Sequence, residues 1–345
     1  MLPTARPCFV LPGGALQSSI YNVRRSPGRT RIRERYAMAD VEIKYLILGA
    51  FLLSVLYVHL RGKVRFGFAR QLFNHSSLLA PYNALMYLFS AVPSRALLSE
   101  REFPELAALS ASWQVMREEA LRLRDEGYIR AALNNNDIGF NSFFKRGWKR
   151  FYLKWYDQPL PSAEALCPRT VELLKRVPAV KGAMFASLEP RSRLNPHRDP
   201  FAGSMRYHLG LVTPNSDACF ISVDGERYFW KDGEAVLFDE TYIHFVENNT
   251  DETRIILLCD IERPLRSRLM RSVNAWVSRN IVTASATQNV EHEPVGALNR
   301  FYSHVYHPFA SRLRGAARSL KHRNRPLYKA LQYGIAIGAL YLIFA

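Results

Sequence analysis

Three residues of this chain have the types and spacing to hold a metal ion. His197 and Asp199 stand as H-x-D in the segment NPHRDP, and His244 follows in YIHFVE. An H-x-D with a distant second histidine is the sequence form of the two-histidine, one-carboxylate facial triad. That triad grips iron(II) on one face and leaves three positions open. Two of these suit a chelating keto acid and the third suits dioxygen. The four cysteines, Cys8, Cys167, Cys219 and Cys259, form no C-x-x-C pair. They suggest neither a zinc site nor a disulfide framework, and a reducing compartment fits them. Each ligand has a plainer reading. His197 could be a loop or capping histidine, Asp199 before Pro200 a turn initiator, and His244 a core histidine. Taken jointly, the three point to iron.

Three cationic or imidazole side chains accompany the triad. Arg254 opens the apolar run Ile255, Ile256, Leu257, Leu258, Cys259, ten residues after His244. An arginine at the head of a buried strand needs an anionic partner. A planar guanidinium on the neighbouring strand suits the distal carboxylate of a keto acid. In RYHLGL, Arg206 and His208 are two residues apart and so share one face of a strand. The plainer readings are an ion pair of Arg206 with Glu247 or another acid, and a satisfied core histidine at 208.

The elements that must position these residues show a period of two. Candidate strands are Ala183–Leu188, Met205–Val212, Ala218–Val223, Arg227–Trp230, Ala235–Asp239, Tyr242–Glu247 and Thr253–Asp260. Asp224-Gly225 and Asp232-Gly233 mark turns between them. Many short strands with such punctuation predict a mainly β catalytic core, a double-stranded β-helix or jelly roll, with flanking helices. Apolar residues at helical spacing predict an amphipathic helix from Glu102 to Tyr128, ended by Gly127, and a shorter one over Pro168–Arg176.

The ends of the chain point to a membrane. Ile43–Leu60 is 18 residues long with Lys44 and His59 near its ends, close to the roughly 20 residues of a spanning helix. Tyr328–Ala345 is uncharged after Lys329 and is expected to be a second, C-terminal transmembrane anchor. Arg61, Lys63, Arg65 and Arg70 follow the first span, and a basic cluster over 312–329 precedes the second. The positive-inside rule then puts residues 61–327 in the cytoplasm. The net charge of +17 gathers beside the spans, which favours anionic lipid as partner and disfavours nucleic acid. No obligate protein partner is evident. The expected order is a disordered or untranslated leader over 1–37, an anchor over 38–61 and a juxtamembrane, interfacial segment over 62–99. A dioxygenase domain follows over 100–264, then a basic amphipathic region over 265–327 and the anchor over 328–345. Leu265, Leu269, Val273, Val277 and Ile281 among arginines fit a membrane-facing helix or one packed on the barrel.

The blocks GWKRFYL, NPHRDPFAGSMRYHLGL and DGEAVLFDETYIHFVENNTDETRIILLCDIERP resemble the aspartyl/asparaginyl β-hydroxylase family of iron(II)/2-oxoglutarate dioxygenases over residues 147–264. With the terminal anchors, they are most similar to its bacterial membrane-bound lipid A 2-hydroxylases. The resemblance implies His197 and His244 as iron ligands and Arg254 as the partner of the 2-oxoglutarate side-chain carboxylate. It implies that Arg206 and His208 complete the cosubstrate site, with Trp148 lining it. Animal members have a small residue at the place of Asp199, so Asp199 as third ligand rests on the general oxygenase pattern. The implied reaction uses 2-oxoglutarate and dioxygen to hydroxylate C2 of an acyl chain of lipid A, at the cytoplasmic face of a bacterial inner membrane. The alternatives are a peptidyl Asp/Asn hydroxylase and a jelly-roll binding module without iron.

Overall fold

The computed structural model describes residues 27–344 apart from 73, 133–135, 157 and 159. Most of the 1–37 leader therefore lies outside the described residues. The chain divides into two compact units, Met1–Ala50 and Phe51–Ala345. As far as it is described, the first is a helix, which starts at Pro27, before Met38, and continues to Leu60. Among the described residues, one helix is long and apolar enough to cross a membrane, Ile43–Leu60. The C-terminal helix runs Arg325–Phe344.

Among the described residues, ten strands build the second unit: β1 Leu97–Leu98, β2 Trp148–Trp155, β3 Val180–Leu188, β4 Ser192–His197, β5 Ser204–Val212, β6 Cys219–Val223, β7 Glu226–Phe229, β8 Ala235–Phe238, β9 His244–Asn248 and β10 Arg254–Glu262. They form two antiparallel sheets, one in the order β1-β8-β5-β10-β3-β2 and one in the order β4-β9-β6-β7. The core is thus mainly antiparallel β with flanking helices, as expected. The run Ile255–Cys259 is continuous because β10 lies inside its sheet, paired with β3 on one side and β5 on the other. Phe151, Phe185 and Phe238 are at most 1% exposed, and full burial of such a ring contributes about 1.5–3 kcal/mol.

The turn residues act as their types demand. Asp224 and Gly225 both take positive φ, 52° and 89°, the mirror-image turn that matches strand twist between β6 and β7. The expected 102–128 helix is interrupted. Pro104 opens a short 3-10 turn, a short helix ends at the Ser112 cap, and Trp113–Asp125 follows. Its buried face carries Met116, Ala120 and Leu123, and Gly127 at φ 76° lies just beyond it. Three strands escaped the sequence reading. β1 is only the pair Leu97–Leu98 beside β8. β2 is buried on both faces yet contains Lys149, Arg150 and Lys154. β4 is largely exposed and is broken by Pro196, which has no N–H for the ladder.

Candidate metal centre and active site

Strands β4 and β9 bring His197 directly opposite His244. The register shifts between Leu194 and His197, where Pro196 cannot pair. The two imidazole centroids are 4.2 Å apart, and the Nε2 of His197 is 3.8 Å from the Oδ1 of Asp199. One ligand atom from each of His197, Asp199 and His244 can be chosen so that all lie within 4.8 Å of one another. The backbone fixes the rings. Nδ1 of His197 meets the Asn195 carbonyl at 2.7 Å, and Nδ1 of His244 meets the Tyr242 carbonyl at 3.0 Å. A carbonyl only accepts, so each Nδ1 carries the proton and each Nε2 keeps its lone pair.

Electrostatics hold these groups in their ligating forms. Burial pushes His197 below the ordinary imidazole value and His244 down to about 3. Burial would raise Asp199, but Arg206, with the two histidines behind it, carries the carboxyl well below the usual range. Two neutral imidazoles and one carboxylate on a single face are the donor set that suits iron(II), and the geometry fits it.

Arg206 is the hub beneath the candidate ligands. Its guanidinium donates to Asp199 Oδ2 at 2.7 Å, to Glu240, and lies 3.4 Å from Asp260 Oδ1. The acids it pairs with are therefore Asp199, Glu240 and Asp260 rather than Glu247. Burial, with Asp260 and Asp199 nearby, raises Glu240 well above the carboxylate range, and burial likewise raises Asp260. Of the three acids around Arg206, Asp199 is the one held firmly ionised, and it is the one in the metal-binding set.

Arg254 is the opposite case. It is 2% exposed, its Nε has no partner, and its guanidinium lies 4.4 Å over the ring of Trp230. Among the described residues no acid forms a salt bridge with it. Burial pulls it down to about 10, opposed only by Cys219. His208 is also buried, with its Nδ1 unpartnered, between Trp230 and Phe238. Both side chains line the same pocket as the triad, an open space of about 440 Å³. Alternate residues supply its wall, Arg254, Ile256 and Leu258 from β10 and Arg206 and His208 from β5. Trp148 closes one side, stacked on Phe140 at 4.7 Å, while Phe143 lies edge-on to His197 at 4.8 Å.

All seven sequence candidates thus gather in one pocket. Sequence reading missed Glu240, Asp260, Phe140 and Phe143. Asp260 was legible only as a charge inside the apolar strand β10, and Glu240 only as an acid in the turn after β8. The two phenylalanines come from the segment just before β2, whose contact with the site is not local.

The family model of aspartyl/asparaginyl β-hydroxylases matches residues 110–264. The domain belongs to that family. The match begins before the expected 147 and takes in the helix Trp113–Asp125. This chain is 37% identical over 135 residues to an ornithine lipid ester-linked acyl 2-hydroxylase of Rhizobium tropici, covering 39% of this chain and 47% of that protein. It is 26% identical over 171 residues to the aspartyl/asparaginyl β-hydroxylase of Homo sapiens, covering 48% of this chain and 22% of that protein. The chain thus spans about half, or less, of the length of these relatives. A prolyl-4-hydroxylase of Pseudomonas putida is structurally similar with a TM-score of 0.30 and 17% identity, over 45% of this chain and 87% of that one.

Proposed function

We propose that this protein is an iron(II)- and 2-oxoglutarate-dependent hydroxylase that acts on C2 of an acyl chain of a membrane lipid. One observation carries the reading. A facial set of two neutral imidazoles and a carboxylate shares a pocket with a buried arginine that has no carboxylate of its own. Bound iron(II), with dioxygen and 2-oxoglutarate, would supply the oxidising power for the C–H bond and release succinate and carbon dioxide. The protein's residues supply position. His197, Asp199 and His244 would hold the metal. Arg254 would take the distal carboxylate of 2-oxoglutarate, replacing a missing internal anion. His208 and Trp148 would line the cosubstrate. Arg206, expected beside the cosubstrate, would through its contacts with Asp199, Glu240 and Asp260 steady the carboxylate ligand first. The apolar wall of Ile256, Leu258, Phe140 and Phe143 would keep the reacting carbon dry.

The lipid substrate is supported by the apolar helix Ile43–Leu60, by the basic clusters beside both chain ends, and by the name of the Rhizobium tropici relative. Lipid A, anionic and anchored in the bilayer, suits the cationic flanks; ornithine lipid is the second reading, favoured by that relative. Ile43–Leu60 and the C-terminal helix would anchor the protein in a bacterial inner membrane, with residues 61–327 in the cytoplasm. The purified protein is expected to form succinate only with iron(II) and 2-oxoglutarate, and a His244→Ala variant is expected to form none. Succinate formation that is indifferent to chelation or to His244 would defeat the reading.

A further inference from the structure

Outside the pocket, three helical segments of the second unit pack on one another. The last turns of the first helix contribute Val55 and Val58, the helix Ala80–Leu88 contributes Met86 and Tyr87, and the helix Arg268–Val277 contributes Met270. Each also holds the loop that follows His197. The Val58 carbonyl accepts from Arg198 at 2.8 Å. Asn83 donates to the Pro200 carbonyl at 2.8 Å and accepts from the Ala202 N–H at 3.0 Å. Asn274 donates to the Gly203 carbonyl at 3.1 Å and accepts from the Tyr82 hydroxyl at 2.6 Å.

The outer side of this platform is apolar where a helix facing water would be polar. Leu78, Pro81, Leu85 and Leu88 recur at steps of three and four and are all exposed, Leu88 by 70%. No charged residue occurs from Ser76 to Ser94. On the neighbouring helix Leu269 and Trp276 are exposed by 67% and 56%. Arg266, Arg268, Arg271 and Arg279 are exposed around them. The first helix, which adjoins through Val55 and Val58, exposes Leu52, Leu53 and Leu56. Exposed leucines and a tryptophan flanked by arginines, on helices that share one buried cluster with the end of an apolar helix, are the pattern of an interfacial surface on anionic lipid.

We propose that this platform seats in the headgroup–acyl boundary of an anionic bilayer, with Leu78, Leu85, Leu88, Leu269 and Trp276 in the lipid. The loop that carries the metal ligands is then held directly above the acyl chains, on the inner side of the same helices. The proposal rests on the reading of the chain as a membrane protein, and not on the chemistry at the metal. Its test is tryptophan fluorescence of the full chain in vesicles of phosphatidylethanolamine, phosphatidylglycerol and a phosphatidylcholine brominated near the headgroup. Bromolipid is expected to quench the wild type, and Trp276→Phe is expected to lose most of that quenching. Adding Leu88→Trp to that variant is expected to restore it, which guards against a variant that fails to fold. Quenching unchanged by Trp276→Phe, or a tryptophan at position 88 that is quenched by aqueous iodide and not by bromolipid, would overturn the platform. Loss of hydroxylation with quenching intact would remove the proposed function alone.

Discussion

At the scale of single residues, Arg254 and His244 make opposite demands on the folded state. Arg254 is a buried cation with no salt bridge among the described residues, and its proposed counter-ion is the distal carboxylate of 2-oxoglutarate. In Arg254→Met, the loss of a charge-assisted bond of about 1.5–3 kcal/mol should raise the 2-oxoglutarate requirement roughly ten- to hundredfold. The same variant should melt no lower than wild type without ligand, because it removes an uncompensated charge. Added 2-oxoglutarate with iron(II) should raise the melting temperature of wild type and not of the variant. A variant that melts much lower without ligand would show that Arg254 has a structural partner instead. His244 demands neutrality. Its unfolded value is near 6.5, and burial takes it to about 3 in the fold. Between those values the unfolded chain binds more protons, so the contribution to stability is complete above 6.5 and is lost as pH falls towards 3. Melting temperatures measured from pH 7.5 to pH 5 should therefore fall, and should fall less steeply in His244→Asn. An equal slope in both would assign the loss to other groups.

At the scale of elements, the buried Asp239 just beyond β8 ties three parts of the unit together. It accepts from Arg61 at 2.6 Å, at the end of the first helix, and from Arg263 at 2.8 Å, just beyond β10. Asp239→Ala would leave two buried guanidiniums unpaired and should cost about 3–5 kcal/mol by chemical denaturation. A cost near zero would mean that water reaches both arginines. Such ties explain what could be read from the sequence. The strands carrying Arg206, His208, His244 and Arg254 were legible because their side chains alternate and turn residues punctuate them. β2 was not, since its lysines and Arg150 sit within a buried strand, where Asp137 pairs with Arg150 at 3.0 Å. That partner lies outside any local pattern. Likewise the H-x-D spacing revealed His197 and Asp199, but the charge cluster around Arg206 depends on Glu240 arriving from the turn after β8 and Asp260 from β10.

At the scale of the whole molecule, the positive charge flanks the apolar ends, and the hydroxylase domain lies between them. If residues 61–327 face the cytoplasm, protease added outside intact spheroplasts should leave that region uncut, and lysis should expose it. Cleavage in intact spheroplasts would reverse the orientation and favour the peptidyl hydroxylase reading. The central claim joins the metal pocket to a lipid chain. It is tested most directly by mass spectrometry of lipid A and ornithine lipid from a host that makes both, with and without this chain and its His244→Ala variant. The expected result is one of these lipids gaining a single oxygen at an acyl C2 with the wild type and not with the variant. Unmodified lipids in every sample, beside iron-dependent succinate formation by the purified protein, would contradict the lipid assignment.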